Sequence, residues 1–138
     1  MYLSRIRERR AAMAADTNSV ALQMNQILDR YSKEVEQVTS AAIDKTSKES
    51  VQKLKNTSPK KTGKYARSWT RKRETDRNGL VTVTVHNKRY QVTHLLENGH
   101  VIRNAKGTYG RTNGIKHIAP VEEWAQDALP EEIERKLR

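Results

Sequence analysis

Cysteine is absent from the chain, and so is phenylalanine. Without thiols, disulfides and thiolate metal sites are excluded, and a reducing compartment is permitted. Aromatic residues make up only 5% and apolar residues 35%, against 31% charged. A chain of 138 residues has one domain's length and room for a modest core. With so little apolar material that core is thin, and part of the chain is expected to be extended or to pack only against a partner. No apolar run approaches the roughly 20 residues of a membrane span. Met1 to Met13 lacks the apolar centre of a signal peptide. The expectation is a protein with no membrane partner, made and used in a cytoplasm or built into a particle there.

What the chain has in excess is positive charge: 27 Lys and Arg against 16 Asp and Glu, a net +11 and a pI of about 10.1. That balance suits a polyanion such as nucleic acid, or an acidic protein surface. A merely solvated basic surface gives the same totals.

Residues 1–18 carry Arg5, Arg7, Arg9, Arg10 and four alanines, and read as a basic arm or extension. From Ser19, a candidate N-cap, the spacing predicts one helix over residues 19–57. Val20, Met24, Ile27, Tyr31, Val35, Val38 and Ala42 recur mostly in steps of three and four, with Val51 and Leu54 beyond a gap. Such a helix is too long for so small a domain to cover, so its ends are expected to pack on the sheet or on another subunit. The heptad pattern does not persist, which argues against a coiled coil.

Pro59 stops the helix, and Thr62-Gly63 is a turn. Two strands follow, 68–74 and 80–86, joined at Asn78-Gly79. The second alternates Leu80, Val81, Val83 and Val85 with Thr82, Thr84 and His86. Tyr90 to Glu97 reads as a short helix whose Leu95 and Leu96 plug the core, ended by Asn98-Gly99. Residues 99–116, with four glycines, read as a mobile loop that orders on contact. Pro120 fits the first position of a closing helix, with Val121, Trp124, Ala125, Ala128 and Leu129 on its apolar face and a kink or restart at Pro130. The fold class expected is α+β: a long N-terminal helix, a small antiparallel sheet, a short plug helix and a C-terminal helix, with residues 19–138 as a single domain.

Catalytic readings fail on spacing. His94, Glu97 and His100 lie at i, i+3 and i+6, whereas a His-Glu-x-x-His zinc site needs its histidines at i and i+4. A nuclease built on His86 and Asn87 lacks its pair of acidic metal ligands. No nucleophile elbow, phosphate-cradling loop or dinucleotide fingerprint occurs. The sequence therefore assigns no catalytic residue, cofactor or metal. His94 and His100 are expected to bond the turn and loop backbone. Tyr65 and Trp69, set among cations, could stack on nucleic acid; a chain this poor in aromatics needs them inside.

Charge is also unevenly placed. Lys60, Lys61, Lys64, Arg67, Arg71, Lys72 and Arg73 make the middle basic, and Glu122, Glu123, Asp127, Glu131 and Glu132 make the C-terminal helix acidic. The two regions could pair head to tail between subunits and close a ring, or pair inside one subunit.

Three segments in order carry a resemblance. They are Ser58-Pro59-Lys60-Lys61-Thr62-Gly63-x-Tyr65-x-x-Ser68-Trp69, then Val85-x-Asn87-x-x-Tyr90-x-x-x-His94-Leu95-Leu96-Glu97-x-Gly99-His100, then His117-Ile118-x-Pro120. With a long helix before and an acidic helix after, residues 20–138 resemble the neck or tail-completion proteins of long-tailed bacteriophages, the lambda Z-type minor tail family. The resemblance implies a non-enzymatic virion protein in a homo-oligomeric ring, a hexamer in the particle. Its neighbours would be a head connector or stopper protein and a tail tube or tail terminator, with genomic DNA passing close by. It also implies that Thr62, Gly63 and Trp69 shape the approach to the sheet. Leu95, Glu97 and Gly99 would form a signature turn, and Pro120 would start the closing helix. The competing readings are a basic DNA-binding or DNA-packaging accessory protein, and a metal nuclease using His94 and His100.

Overall fold

The computed structural model describes the backbone of residues 2–138 and the side chains of residues 17–138. The chain divides into two compact units, Met1–Val38 and Thr39–Arg138. Helix α1 spans Tyr2–Thr57. It starts well before Ser19, which lies inside it. The chain has no proline or glycine before Pro59, and Ala11, Ala12, Ala14 and Ala15 are among the best helix formers. The side chains of the Arg-rich arm up to residue 16 lie outside the described residues. In the first unit every described side chain from Thr17 to Glu34 is exposed, the apolar stripe included.

The second unit holds the rest. A single turn, α2 (Lys64–Arg67), leads into β1 (Trp69–Thr75) and β2 (Val81–Asn87), an antiparallel pair in which Trp69 faces Asn87 and Thr75 faces Val81. Asp76 shapes its turn, accepting the N–H groups of Asn78 and Leu80 at 2.8 Å. Helix α3 (Tyr90–Asn98) follows, then β3 (Gly99–Asn104) and β4 (Gly107–Asn113), and finally α4 (Ile118–Leu137). The strands form two separate two-stranded sheets, so the α+β class holds with the sheet divided.

Three expectations change. Residues 99–113 are a β-hairpin, with an irregular register between Ile102 and Arg103. Pro120 is the third residue of α4, behind Ile118 and Ala119, and still within the first turn, where the N–H it lacks has no helical partner. Pro130 lies inside α4, which runs through it to Leu137.

The core is small, as the composition requires. Leu54, Tyr65, Trp69 and Val121 form it, with Val51, Val85, Leu96 and Ile118 packed around them. Leu95 and Leu96 are only half-buried, and the fully covered residue of α3 is Glu97. The expected leucine plug is thus in large part a carboxylate plug. No described helix is long and apolar enough to cross a membrane.

Candidate functional site

The aromatic residues collect in one place because the chain has so few. Tyr65 and Trp69 sit one helical turn apart across α2 and the start of β1. Their rings meet edge to face at 5.9 Å, and His117 closes the triangle at 5.6 Å from Tyr65 and 6.3 Å from Trp69. Edge-to-face packing of this kind adds to burial. Among the described residues His117 is the most completely buried large side chain, at 1% exposure.

Each polar atom brought into this cluster finds a partner, as burial demands. Trp69 Nε1 donates to Ser58 Oγ at 2.7 Å, tying β1 back to the end of α1. Asn87 Nδ2 donates to the Tyr65 carbonyl at 2.9 Å, while its Oδ1 accepts the Arg89 N–H. His117 Nδ1 faces two oxygens, Ile115 O at 2.7 Å and Glu97 Oε2 at 2.9 Å, so it carries a proton. In the neutral ring Nε2 then accepts the Tyr65 hydroxyl at 2.9 Å. Burial holds the Tyr65 phenol above its ordinary value.

Glu97 joins this cluster to α4. Its carboxylate accepts the N–H groups of His117 at 2.8 Å, Ile118 at 3.0 Å and Ala119 at 3.1 Å. No α4 residue caps its own N-terminus, so a side chain from α3 performs the capping. Burial alone would raise the Glu97 carboxyl. The three backbone N–H groups of His117, Ile118 and Ala119 outweigh it and hold the group below its ordinary value.

Gly99 turns the chain out of α3 at φ +78°, its N–H bonded to Leu95 O. Gly114 packs against the same corner, and Ile115 N–H reaches Leu96 O at 2.8 Å. Thr62 is exposed, and its hydroxyl faces the Lys64 N–H across the Gly63 turn. His94 is exposed on the rim of an apolar groove of about 930 Å³, lined by Leu54, Trp69, Val85, Tyr90 and Val121 among others. His100 is exposed on β3, its Nδ1 paired with the Thr112 hydroxyl at 2.9 Å. Among the described residues no three His, Asp or Glu side chains come together as a metal site would require.

The charged surfaces separate more cleanly than the sequence alone allows. Arg71 and Arg73 both bind Asp44 of α1, at 3.0 and 2.6 Å, and Lys72 binds Glu74. The Arg71 hydrogen bond, opposed by burial and helped by Arg73, holds the Asp44 carboxyl below its ordinary value. Glu132 is likewise engaged, by Lys45 at 3.1 Å and Arg135 at 2.8 Å. Lys60, Lys61, Lys64 and Arg67 remain exposed with no ion pair among the described residues. So do Glu122, Glu123, Asp127 and Glu131. Within the described subunit no ion pair joins the basic middle of the chain to α4.

Ser58, Asn87 and His117 complete the buried network; in the sequence they stand only as motif positions, and Asn87 also in the nuclease reading that lacked its acidic ligands. Their signal was present, since all three fall inside the motif segments. Tyr65→Phe tests the network at its centre. The ring and its packing stay, but the His117 nitrogen loses its donor, and a loss of about 1–2 kcal/mol in urea unfolding is expected.

Residues 23–99, more than half of the chain, match the family model described as "Bacteriophage HK97-gp10, putative tail-component". No curated protein and no solved structure matches the chain. The matched stretch takes in the end of α1, the aromatic pair, Asn87 and the Glu97-Asn98-Gly99 corner. These positions serve the buried network, and the family match agrees with the phage resemblance of the motif segments. The chain belongs to the HK97-gp10-like family of bacteriophage tail components.

Proposed function

We propose that this chain is a non-enzymatic subunit of the neck ring that completes the tail or joins it to the DNA-filled head. The ring would be homo-oligomeric, sixfold in the particle, and assembled in the host cytoplasm between a head connector or stopper and the tail tube or its terminator. Family membership supports a tail component. The observation that carries the ring is the uncovered stripe of α1. Val20, Met24, Ile27, Leu28 and Tyr31 fall on one helical face and are 55–63% exposed. An isolated helix is marginal in water, and most helical stability comes from packing such a face. A subunit with this stripe is finished by its neighbours. The free cations Lys60, Lys61, Lys64 and Arg67 and the free acids of α4 then supply opposite charges for head-to-tail contacts.

Deletion of the gene from its phage, followed by electron microscopy of the lysate, tests the reading. Full heads beside separate tails of normal length are expected. Overlong tails would indicate tail termination instead, and empty heads a packaging role. Intact infectious particles would refute a structural role in the joint.

A further inference from the structure

The β3–β4 ribbon has an electrostatic character that the ring contacts leave unused. From Asn98 to Val121 the chain contains no Asp or Glu. In that run Arg103 lies on β3, Lys106 in the turn and Arg111 on β4. All three are exposed, and none has an ion pair among the described residues. Elsewhere the hairpin cations have carboxylate partners: Arg71 and Arg73 share Asp44, and Lys72 pairs with Glu74. The ribbon also has a firm root. Gly99 and Gly114 pack at its base, Lys116 Nζ binds Asn98 Oδ1 at 2.7 Å, and Ile115 N–H binds Leu96 O. Its cations are therefore presented from a fixed stem.

We infer that the β3–β4 ribbon contacts the phosphate backbone of double-stranded DNA. A carboxylate-free ribbon with a cation on each strand and one at the turn is complementary to a polyanion. A two-stranded antiparallel ribbon also has the width that a DNA groove admits. Nothing lies within 4 Å of the side-chain positions of Gly107 and Gly110, so the backbone there is open to close approach. Tyr109, 61% exposed between them, adds a hydroxyl donor suited to phosphate or sugar oxygen. Such contacts are independent of DNA sequence and salt-dependent. They would hold passing DNA loosely.

The test is binding of the full-length chain to a short DNA duplex, followed by fluorescence anisotropy across a salt series from about 50 to 200 mM. The variant Arg103→Gln, Lys106→Gln, Arg111→Gln is expected to lower the slope of log affinity against log salt by about 3, near 0.9 for each phosphate no longer neutralised. At the low-salt end it binds about tenfold more weakly or worse. Lys60→Gln, Lys61→Gln, Lys64→Gln removes the same charge elsewhere and is expected to leave the slope close to that of the unaltered chain. Arg103→Lys with Arg111→Lys keeps the charge and the slope. Equal slopes for the ribbon variant and the unaltered chain would overturn the inference. So would an equal loss in the Lys60 set. If the ribbon variant keeps its DNA binding and instead loses self-association in sedimentation, the ribbon faces protein and the inference fails. The measurement uses the free chain, so its failure leaves the neck-ring reading standing.

Discussion

Glu97→Ala is expected to lower the unfolding free energy by about 3–4 kcal/mol. The alanine removes the acceptor for three backbone N–H groups at the start of α4 and the oxygen beside His117. Leaving buried donors unpaired costs about 1–3 kcal/mol each, less where water can replace the partner, as it can at the exposed Ala119. Glu97→Gln keeps the shape and one acceptor oxygen but loses the charge, and about 2 kcal/mol is expected. Urea unfolding at neutral pH reads both. A loss within about 0.5 kcal/mol of zero, typical of a surface change, would mean that the α3–α4 junction is held by something else.

The same residue gives a pH dependence. Its folded carboxyl lies below the ordinary 4.5, so between the two values the unfolded chain binds more protons than the folded one. The stabilisation is complete above the ordinary value and is lost as pH falls through the folded one. Asp44 and Glu132 are shifted in the same direction by surface pairs. The contribution of Glu97 is therefore the part of the acid sensitivity that disappears in Glu97→Gln. An unchanged pH profile in that variant would contradict the assignment.

Gly99→Ala is the second large effect. A Cβ there would collide with the Thr112 carbonyl oxygen and come within 2.8 Å of the Gly114 nitrogen, both backbone atoms with nowhere to move. It would also stand at φ +78°, where side chains are strained. The expected loss is about 3 kcal/mol or more, with the β3–β4 stem released and cut early in limited proteolysis. Gly79→Ala is the control. Its φ is +83°, but nothing lies within 4 Å, so only the backbone cost of about 1 kcal/mol is expected. Equal losses for the two variants would show that the close packing at Gly99 is unimportant.

The long helix, the β1–β2 hairpin and the closing helix were legible because their periodicities are strong: Val20 to Ala42, Leu80 to Val85, Val121 to Leu129. The second hairpin was not. Val101 and Ile102 stand side by side, the register shifts just after them, and Gly107 and Gly110 dilute β4, so the alternation that marks a strand is missing. Much of the ribbon's shape comes from its base, where Gly99 and Gly114 meet the end of α3. That is a long-range contact, and no local pattern reports it.

The site was half legible. The motif segments contained nearly all of the buried network, yet nothing local to a carboxylate beside two leucines says what it binds. Only the folded chain shows Glu97 reaching twenty residues ahead to cap α4. The basic middle also divides in three dimensions. Asp44, 27 residues before Arg71, pairs with both Arg71 and Arg73, a pairing with no local spacing to mark it.

Cryo-electron microscopy of the intact particle tests the proposed role most directly. The account predicts symmetric copies of this chain in a ring between head and tail, with the Val20–Tyr31 face of each α1 covered by a neighbour. A particle that lacks the chain, or holds it as isolated subunits with that face still in solvent, would contradict it.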